Sequence, residues 1–384
     1  MIIRRKIDIG FKELFIALIH CLNFKKKHDL LEGDHLFCLS VRTGLDLFLS
    51  SLNLKKGSEI IVSGINIYEM FELIEKHGLR PKPVSIDFDN LHVDSNDIEQ
   101  EITKKTKAIL IAHLFGSRME LNDVYKICQK NNLYLIEDSA QVFDGDISGY
   151  EGSDISLYSF GPKKTATCLG GAVLSVKDRE ILTKMKDIQS NYPSQSNLKY
   201  FFKINKFVFI KLLQCNFIYS IFYPLLQYLR IDFDRLLYNF KRDHKDLFVR
   251  IRKKPSRSLL YLLKYRTKKF DYSVIQKRTK LGRYFLDKIP LENRIGYKSN
   301  HHTFWCFPVI SKNSSALIKF LQKHKIDATK GYHDFGPLKN IHCTDVKHLE
   351  MQKKYLNIVY LPFFHTMSKT DIDRIAETNA AYLN

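Results

Sequence analysis

Two adjacent lysines, Lys163 and Lys164, lie in a stretch whose composition suits covalent chemistry: Tyr158-Ser159-Phe160-Gly161-Pro162-Lys163-Lys164-Thr165-Ala166-Thr167-Cys168-Leu169-Gly170-Gly171-Ala172. An amine that has lost its proton forms a Schiff base with a carbonyl, and enclosure lowers a lysine pKa enough to allow it. Apolar runs on either side, Ile155 to Tyr158 and Ala172 to Val176, read as strands, and Gly161-Pro162 marks the loop between them. Gly170-Gly171 restarts the second strand where a backbone or a ligand passes close by. Taken alone, a Lys-Lys pair is also what a solvated turn looks like.

A second group lies some twenty residues earlier. Leu133-Tyr134-Leu135-Ile136-Glu137-Asp138-Ser139-Ala140-Gln141 is an apolar strand ending in two carboxylates, two small residues and an amide. A pyridoxal phosphate site needs a carboxylate at the pyridinium nitrogen, a lysine for the aldehyde, and hydroxyls or backbone N–H groups for the phosphate. The two stretches supply these types in a workable order.

The elements that must hold these groups alternate between strand and helix. Glu59 to Val62, Pro83 to Ile86, Ala108 to Ala112 and Leu133 to Ile136 read as strands, and Ile67 to Lys76 and Leu121 to Asn131 as helices. The pattern predicts an α/β fold with a mostly parallel sheet covered by helices, whose ligands bind at strand carboxyl ends. Asp138, Gln141, His113 and Ser159 all follow strands. A strand over 302–309, a helix over 315–324, a strand over 358–362 and a closing helix over 371–382 predict a small C-terminal lobe. The expected division is a large domain over 1–195, a basic, aromatic-rich and mainly helical segment over 196–285, and a small domain over 286–384.

From Phe37 to Val176 the sequence resembles the DegT/StrS-type sugar aminotransferases, of fold-type-I architecture. The resemblance implies a seven-stranded-type sheet, pyridoxal phosphate and a homodimer. In the family the serine of the Ser-Phe segment precedes the reactive lysine by five positions, so the resemblance implies Lys164, five after Ser159, as the covalent lysine. Asp138 is then the partner of the ring nitrogen, Gln141 the hydrogen-bond donor to the ring hydroxyl, and Ser159 a phosphate ligand. Arg42 and Thr43, in Ser40-Val41-Arg42-Thr43-Gly44, correspond to the turn that holds the phosphate on a helix N-terminus. Thr43 also reads as an ordinary helix cap. His113, in Ala112-His113-Leu114-Phe115-Gly116, and Tyr68 are substrate-side candidates, although a histidine at a strand end is commonly a satisfied structural residue. Lys330-Gly331-Tyr332-His333 is a further substrate-side segment. Ile67 occupies the position where the family places an aromatic ring over the cofactor. Asn191-Tyr192-Pro193 stands where many members carry Asn-Tyr-Arg, so a cross-subunit phosphate contact is not expected. A lysine, where dehydratase-like members have histidine, favours amino transfer. The implied acceptor is a nucleotide-linked keto sugar for surface polysaccharide or glycolipid, with glutamate as donor.

The charge is uneven. The net charge is +20, and the stretch from Ser196 to Pro290 holds 23 Lys and Arg against 6 Asp and Glu, a balance of +17. Leu212 to Leu229 has no charged residue, yet Gln214, Asn216, Pro224 and Gln227 argue against a membrane span. Flanked by Lys203, Lys206, Lys211, Arg230 and Arg235, this run suits a helix lying on a bilayer surface, with Arg250 to Arg257 adding attraction to anionic lipid. An apolar helical hairpin with a solvated basic face, packed at a dimer interface, is the alternative reading of 205–257. No nucleic-acid-binding signature accompanies the charge, and nucleic acid is not expected as a partner. The seven scattered cysteines show no zinc spacing, and the first residues show no secretory signal, so a cytoplasmic enzyme, peripheral at the inner membrane face, is expected. A catalytically silent relative that binds partners through the basic segment is the rival reading.

Overall fold

The computed structural model describes residues 1–22, 29–229, 246–331, 335–338 and 346–383. Arg230, Arg235, Tyr332 and His333, named above, lie outside the described residues.

The opening helix α1 (Phe11–Leu22) is followed by β1 (Leu31–Glu32), β2 (His35–Cys38), α2 (Val41–Leu52), β3 (Glu59–Ser63), β4 (Ile65–Ile67), α3 (Tyr68–Lys76) and β5 (Arg80–Val84). Then come α4 (Ser95–Glu101), β6 (Thr106–Ala112), β7 (Ser117–Arg118), α5 (Asn122–Asn131), β8 (Tyr134–Asp138), β9 (Ile155–Ser159), β10 (Ala172–Val176) and α6 (Arg179–Ser190). The central sheet has eight strands in the order β1-β2-β10-β9-β8-β6-β3-β5. It has one strand more than the sequence predicts, because two residues of β1 pair with β2. Strands β9, β8, β6, β3 and β5 are parallel, while β10 runs antiparallel between β9 and β2. Strand β6 is buried almost throughout, as a continuous apolar run in a covered parallel sheet should be. Strand β5, Arg80-Pro81-Lys82-Pro83-Val84, closes the sheet at an edge, where two prolines cost no ladder bond.

Helices α7 (Asn197–Leu213), α8 (Asn216–Tyr228), α9 (Leu247–Ile251), α10 (Arg257–Lys268) and α11 (Ser273–Asp287) make up the basic segment. The apolar run at 212–229 is not one helix: it breaks at Gln214, whose buried amide accepts from Ile7 N–H at 3.0 Å and donates to the Arg5 carbonyl at 3.2 Å. The segment is not detached from the large domain. Tyr200, Ile204, Phe207, Ile210, Leu259 and Leu263 bury one face of α7 and α10 against Phe37, Tyr158, Phe160 and Val173 of the sheet.

The C-terminal elements are β11 (His301–His302), β12 (Phe307–Ile310), α12 (Ser314–Lys323), β13 (Phe335–Pro337), α13 (Val346–Leu356), β14 (Ile358–Leu361) and α14 (Lys369–Leu383). The single strand expected over 302–309 is interrupted where Phe304 adopts φ 48°. Their own core of Phe285, Phe307, Val359 and Ile372 lies apart from the sheet's cores. Strand β13 pairs with β4, and so joins these elements to the carboxyl end of the sheet.

Candidate active site

The site forms where the parallel strands end. Asp138 is the last residue of β8 and lies opposite Ala112 of β6 and Leu157 of β9, which brings it beside the end of β9 at Ser159. Its buried carboxylate accepts from Ala140 N–H at 3.1 Å and from the Asn66 side-chain amide at 3.0 Å. Burial raises the Asp138 pKa; the two hydrogen bonds and the positive charge of Lys164 oppose that. A cation placed at this carboxylate would be strongly stabilised.

Lys164 follows the tight turn after β9, its own N–H bonded to the Gly161 carbonyl at 2.9 Å. Its amine stands 4.2 Å from the centroid of the Trp305 indole. Burial lowers its pKa to about 8 against the opposing pull of Asp138, while Arg5 pushes it further down. An amine in that range is a usable nucleophile and proton carrier near neutral pH. The loop is clamped by its backbone. The Lys163 carbonyl accepts from Trp305 Nε1 at 2.9 Å and Arg5 Nη1 at 3.2 Å, and Ala166 N–H donates to Asp8 at 2.7 Å. Ala166 and Leu169 sit at φ 51° and 61°, conformations that such bonds must hold in place. Gly171, at φ 87°, is required: a Cβ there would lie 2.6 Å from the Leu263 side chain.

The residues named from sequence sort into three groups. Asp138 and Lys164 lie within each other's electrostatic reach at the ends of the strands. Gln141 accepts from Phe115 N–H at 2.8 Å through its oxygen, which leaves its amide N–H groups as the donors. His113 is corrected: its ring is buried, Nδ1 accepts from Met119 N–H at 3.1 Å, and Nε2 faces Glu137 at 3.0 Å. With both nitrogens used, His113 has none for substrate and serves to position Glu137. Burial alone would raise the Glu137 pKa, but hydrogen bonds from His113, Ser156 and Tyr150 N–H hold it well below the usual range. Tyr68 opens α3, and its hydroxyl lies at the backbone of Gly336 in β13, 2.8 Å from where a Cβ would stand.

At the phosphate end, Ser159 lies in line with Ala172 and Cys38 across the sheet, next to the start of α2. Ser40 caps α2 through Thr43 N–H. The two expected ligands on that helix are otherwise engaged. The Thr43 hydroxyl donates to the Ile251 carbonyl at 2.8 Å, and Arg42 pairs with Glu69, which also takes Arg250 at 2.7 Å. Lys203 of α7 lies at this end, its amine 3.6 Å from where a Cβ on Gly170 would stand. Burial, Lys206 and Arg42 lower its pKa to about 8. Tyr192, from the altered Asn-Tyr-Pro segment, bonds within its own chain: its hydroxyl meets Asp46 at 2.9 Å. Asp46 also receives His77 at 2.9 Å and Arg252 at 2.9 and 3.0 Å, tying the end of α9 to α2.

A cavity of about 270 Å³ opens beside Lys164. Arg5, Lys6, Lys163, Lys211 and Arg278 line it, against one carboxylate, Asp8. Arg278 is buried; Nε donates to the Thr303 carbonyl at 2.5 Å and Nη1 to Thr165 at 2.9 Å, while Nη2 has no hydrogen-bond partner among the described residues. A buried guanidinium with a spare donor beside a basic cavity is a ready anion site. Sequence reasoning missed Asn66, Trp305, Lys203 and Arg278. Among the described residues no group of three or more His, Cys, Asp or Glu could hold a metal ion.

Residues 31–204 match the DegT/DnrJ/EryC1/StrS aminotransferase family. Over that stretch, a little under half of its length, the chain is similar to the family. GDP-perosamine synthase of Escherichia coli O157:H7 is 32% identical over 164 residues, 41% of this chain and 45% of the relative. The chain therefore matches less than half the length of this curated family relative. Two solved members share the fold almost end to end. The Streptomyces venezuelae protein DesV, solved with a ketimine intermediate, is 18% identical with a TM-score of 0.71, covering 97% of this chain and 94% of its own. The sugar aminotransferase Spr1654 of Streptococcus pneumoniae, described as putative, is 16% identical with a TM-score of 0.72 over 99% and 97%. The family match in sequence stops inside α7, whereas the fold continues to the C-terminus.

Proposed function

We infer that this chain is a pyridoxal-phosphate-dependent transaminase that moves an amino group from glutamate to a nucleotide-linked keto sugar for surface glycan synthesis. The observation that carries the reading is the pairing of a depressed lysine amine, Lys164, with a buried carboxylate, Asp138, at the ends of adjacent parallel strands. The donor set fits the cofactor. Asp138 would face the ring nitrogen, Gln141 the ring hydroxyl and Lys164 the aldehyde. Ser159, the N–H groups at the start of α2 and Lys203 would serve the phosphate. The bound cofactor supplies an electron sink for the carbon that loses its proton.

The chain's own residues do the rest. Lys164 is neutral in a useful fraction near pH 8 and would take the proton from the donor carbon and return it to a carbon of the bound cofactor. Asp138, held by Asn66 and Ala140 N–H, would stabilise a proton on the ring nitrogen of the bound cofactor. Trp305 covers the Lys164 amine on one side and excludes water there. Arg278 and the lysines of the cavity suit an acceptor carrying a diphosphate. The reading includes a homodimer, the assembly that the family resemblance implies, and a place beside membrane-bound glycan assembly.

The test is the visible absorbance of the purified protein before and after glutamate, alongside Lys164→Ala. A band that bleaches with glutamate and is lost or altered in the variant supports the reading. A protein that stays colourless with added pyridoxal phosphate overturns it and leaves the fold as a reused scaffold.

A further inference from the structure

Three neighbouring helices turn large apolar side chains to solvent. Helix α7 packs beside α1 on one side and α8 on the other. The inward face of α7 is spent on the sheet, through Tyr200, Ile204, Phe207 and Ile210. Its outward face is nonetheless apolar: Phe202 and Phe209 are 59% and 57% exposed. On α1, Phe11, Phe15 and Ile19 repeat every four residues along the exposed side, Phe15 at 63%. On α8, Ile221 is 65% exposed. A helix with one face in a core is expected to be polar on the other. Three adjacent exceptions make a patch of the kind that marks an interaction surface.

The charge around the patch selects its occupant. Residues 197–228 contain no Asp or Glu, and of their four lysines Lys203 and Lys211 belong to the site described above while Lys199 and Lys206 remain beside the patch. Lys12 and Lys199 are exposed beside the apolar rows. Among the described residues no helix is long and apolar enough to cross a membrane, so these helices lie along a surface rather than through it. A second copy of this face would bring like charges together, which disfavours self-association. Anionic lipid headgroups complement the lysines while the acyl boundary takes the phenylalanines.

We propose that α1, α7 and α8 form a platform that seats the protein flat on an anionic bilayer surface. The platform includes α1, which lies far from the basic segment in sequence and was invisible to charge counting. The inference does not rest on the catalytic reading, because lipid binding needs neither Lys164 nor the cofactor.

The experiment is flotation of the full-length protein with vesicles of phosphatidylglycerol and phosphatidylcholine, and with phosphatidylcholine alone. The wild type should float with the anionic vesicles and at least tenfold less with the neutral ones. Phe202→Glu/Phe209→Glu should lose binding at least tenfold while keeping the far-UV circular dichroism of the wild type, and Phe15→Glu, on α1, should weaken it independently. Lys164→Ala should bind as the wild type does, which separates this outcome from failure of the transaminase reading. Absence of wild-type flotation overturns the proposal. So does conversion of a dimer to a monomer by Phe202→Glu/Phe209→Glu with vesicle binding unchanged, which would make the face an interface between copies.

Discussion

Replacing Lys164 by methionine should stabilise the cofactor-free protein near pH 7, and the gain should fade in alkali. Burial lowers the Lys164 pKa from 10.5 to about 8. Below the folded value the amine is charged in both states, and the folded state carries the full cost of burying it. Between the two values the unfolded chain binds a proton that the folded protein does not, so stability rises with pH there. The shift corresponds to about 3 kcal/mol of destabilisation near pH 7 and about 1 kcal/mol near pH 10. Loss of the ammonium's contact with the Trp305 face subtracts about 0.5–1 kcal/mol from the benefit. The net gain is about 2 kcal/mol near pH 7 and about 1 kcal/mol near pH 10, where the folded amine is already neutral and has no cationic contact to lose. With an unfolding entropy of roughly 0.8 kcal/mol/K for a chain of this length, that is a rise in Tm of about 3 °C at the lower pH. Differential scanning calorimetry of both proteins without cofactor, at the two pH values, measures it. A Tm difference that is zero at pH 7, or that grows with pH, would refute the picture of a desolvated amine held in readiness.

Asp46→Asn removes the carboxylate that collects Arg252, His77 and Tyr192, and should cost about 3 kcal/mol in urea unfolding while leaving a folded protein. Glu137→Gln should flatten the acid side of the stability profile. The Glu137 pKa is depressed in the folded state, so its contribution is complete above the ordinary glutamate range and is lost as pH falls through and below it. Urea midpoints at pH 7 and pH 4 for both proteins show whether the gap closes. Arg278→Met should raise the KM for a nucleotide-linked acceptor at least tenfold while leaving the glutamate half-reaction within twofold. An equal loss in both would place Arg278 with the donor instead.

Much of the large domain was legible because its strands are apolar and uninterrupted. The predicted Ala172–Val176 strand is observed with the same bounds, and the Asn122–Asn131 helix within one residue. Lys164 and Asp138 were legible because each sits at a fixed place relative to a strand end. The residues that tune them were not. Asn66 meets Asp138 only because β4 turns back under the end of β8, a contact 72 residues apart in sequence. Trp305 and Arg278 reach the lysine loop from the far side of the chain, across 142 and 113 residues. His113 misled for the opposite reason: its type suggested chemistry, whereas its burial and two hydrogen bonds make it a support for Glu137. The break in the apolar run at 212–229 was not legible, because a hydropathy count does not show that Gln214 binds the backbone of Arg5 and Ile7.

Those N-terminal residues set a timetable. Arg4 grips Asp327 through two hydrogen bonds of 2.7 and 2.8 Å, 323 positions later, while Arg5 and Asp8 hold the lysine loop between them. Arg4 is therefore synthesised 323 positions before the carboxylate it grips. At roughly 5–20 residues per second, translation separates the two halves of that grip by about 15 to 65 seconds. Until then the loop that carries Lys164 has its residues but not its clamp. The Trp305 bond to the Lys163 carbonyl likewise waits on residues 142 positions downstream, so the lysine loop is completed only when the C-terminal elements are in place.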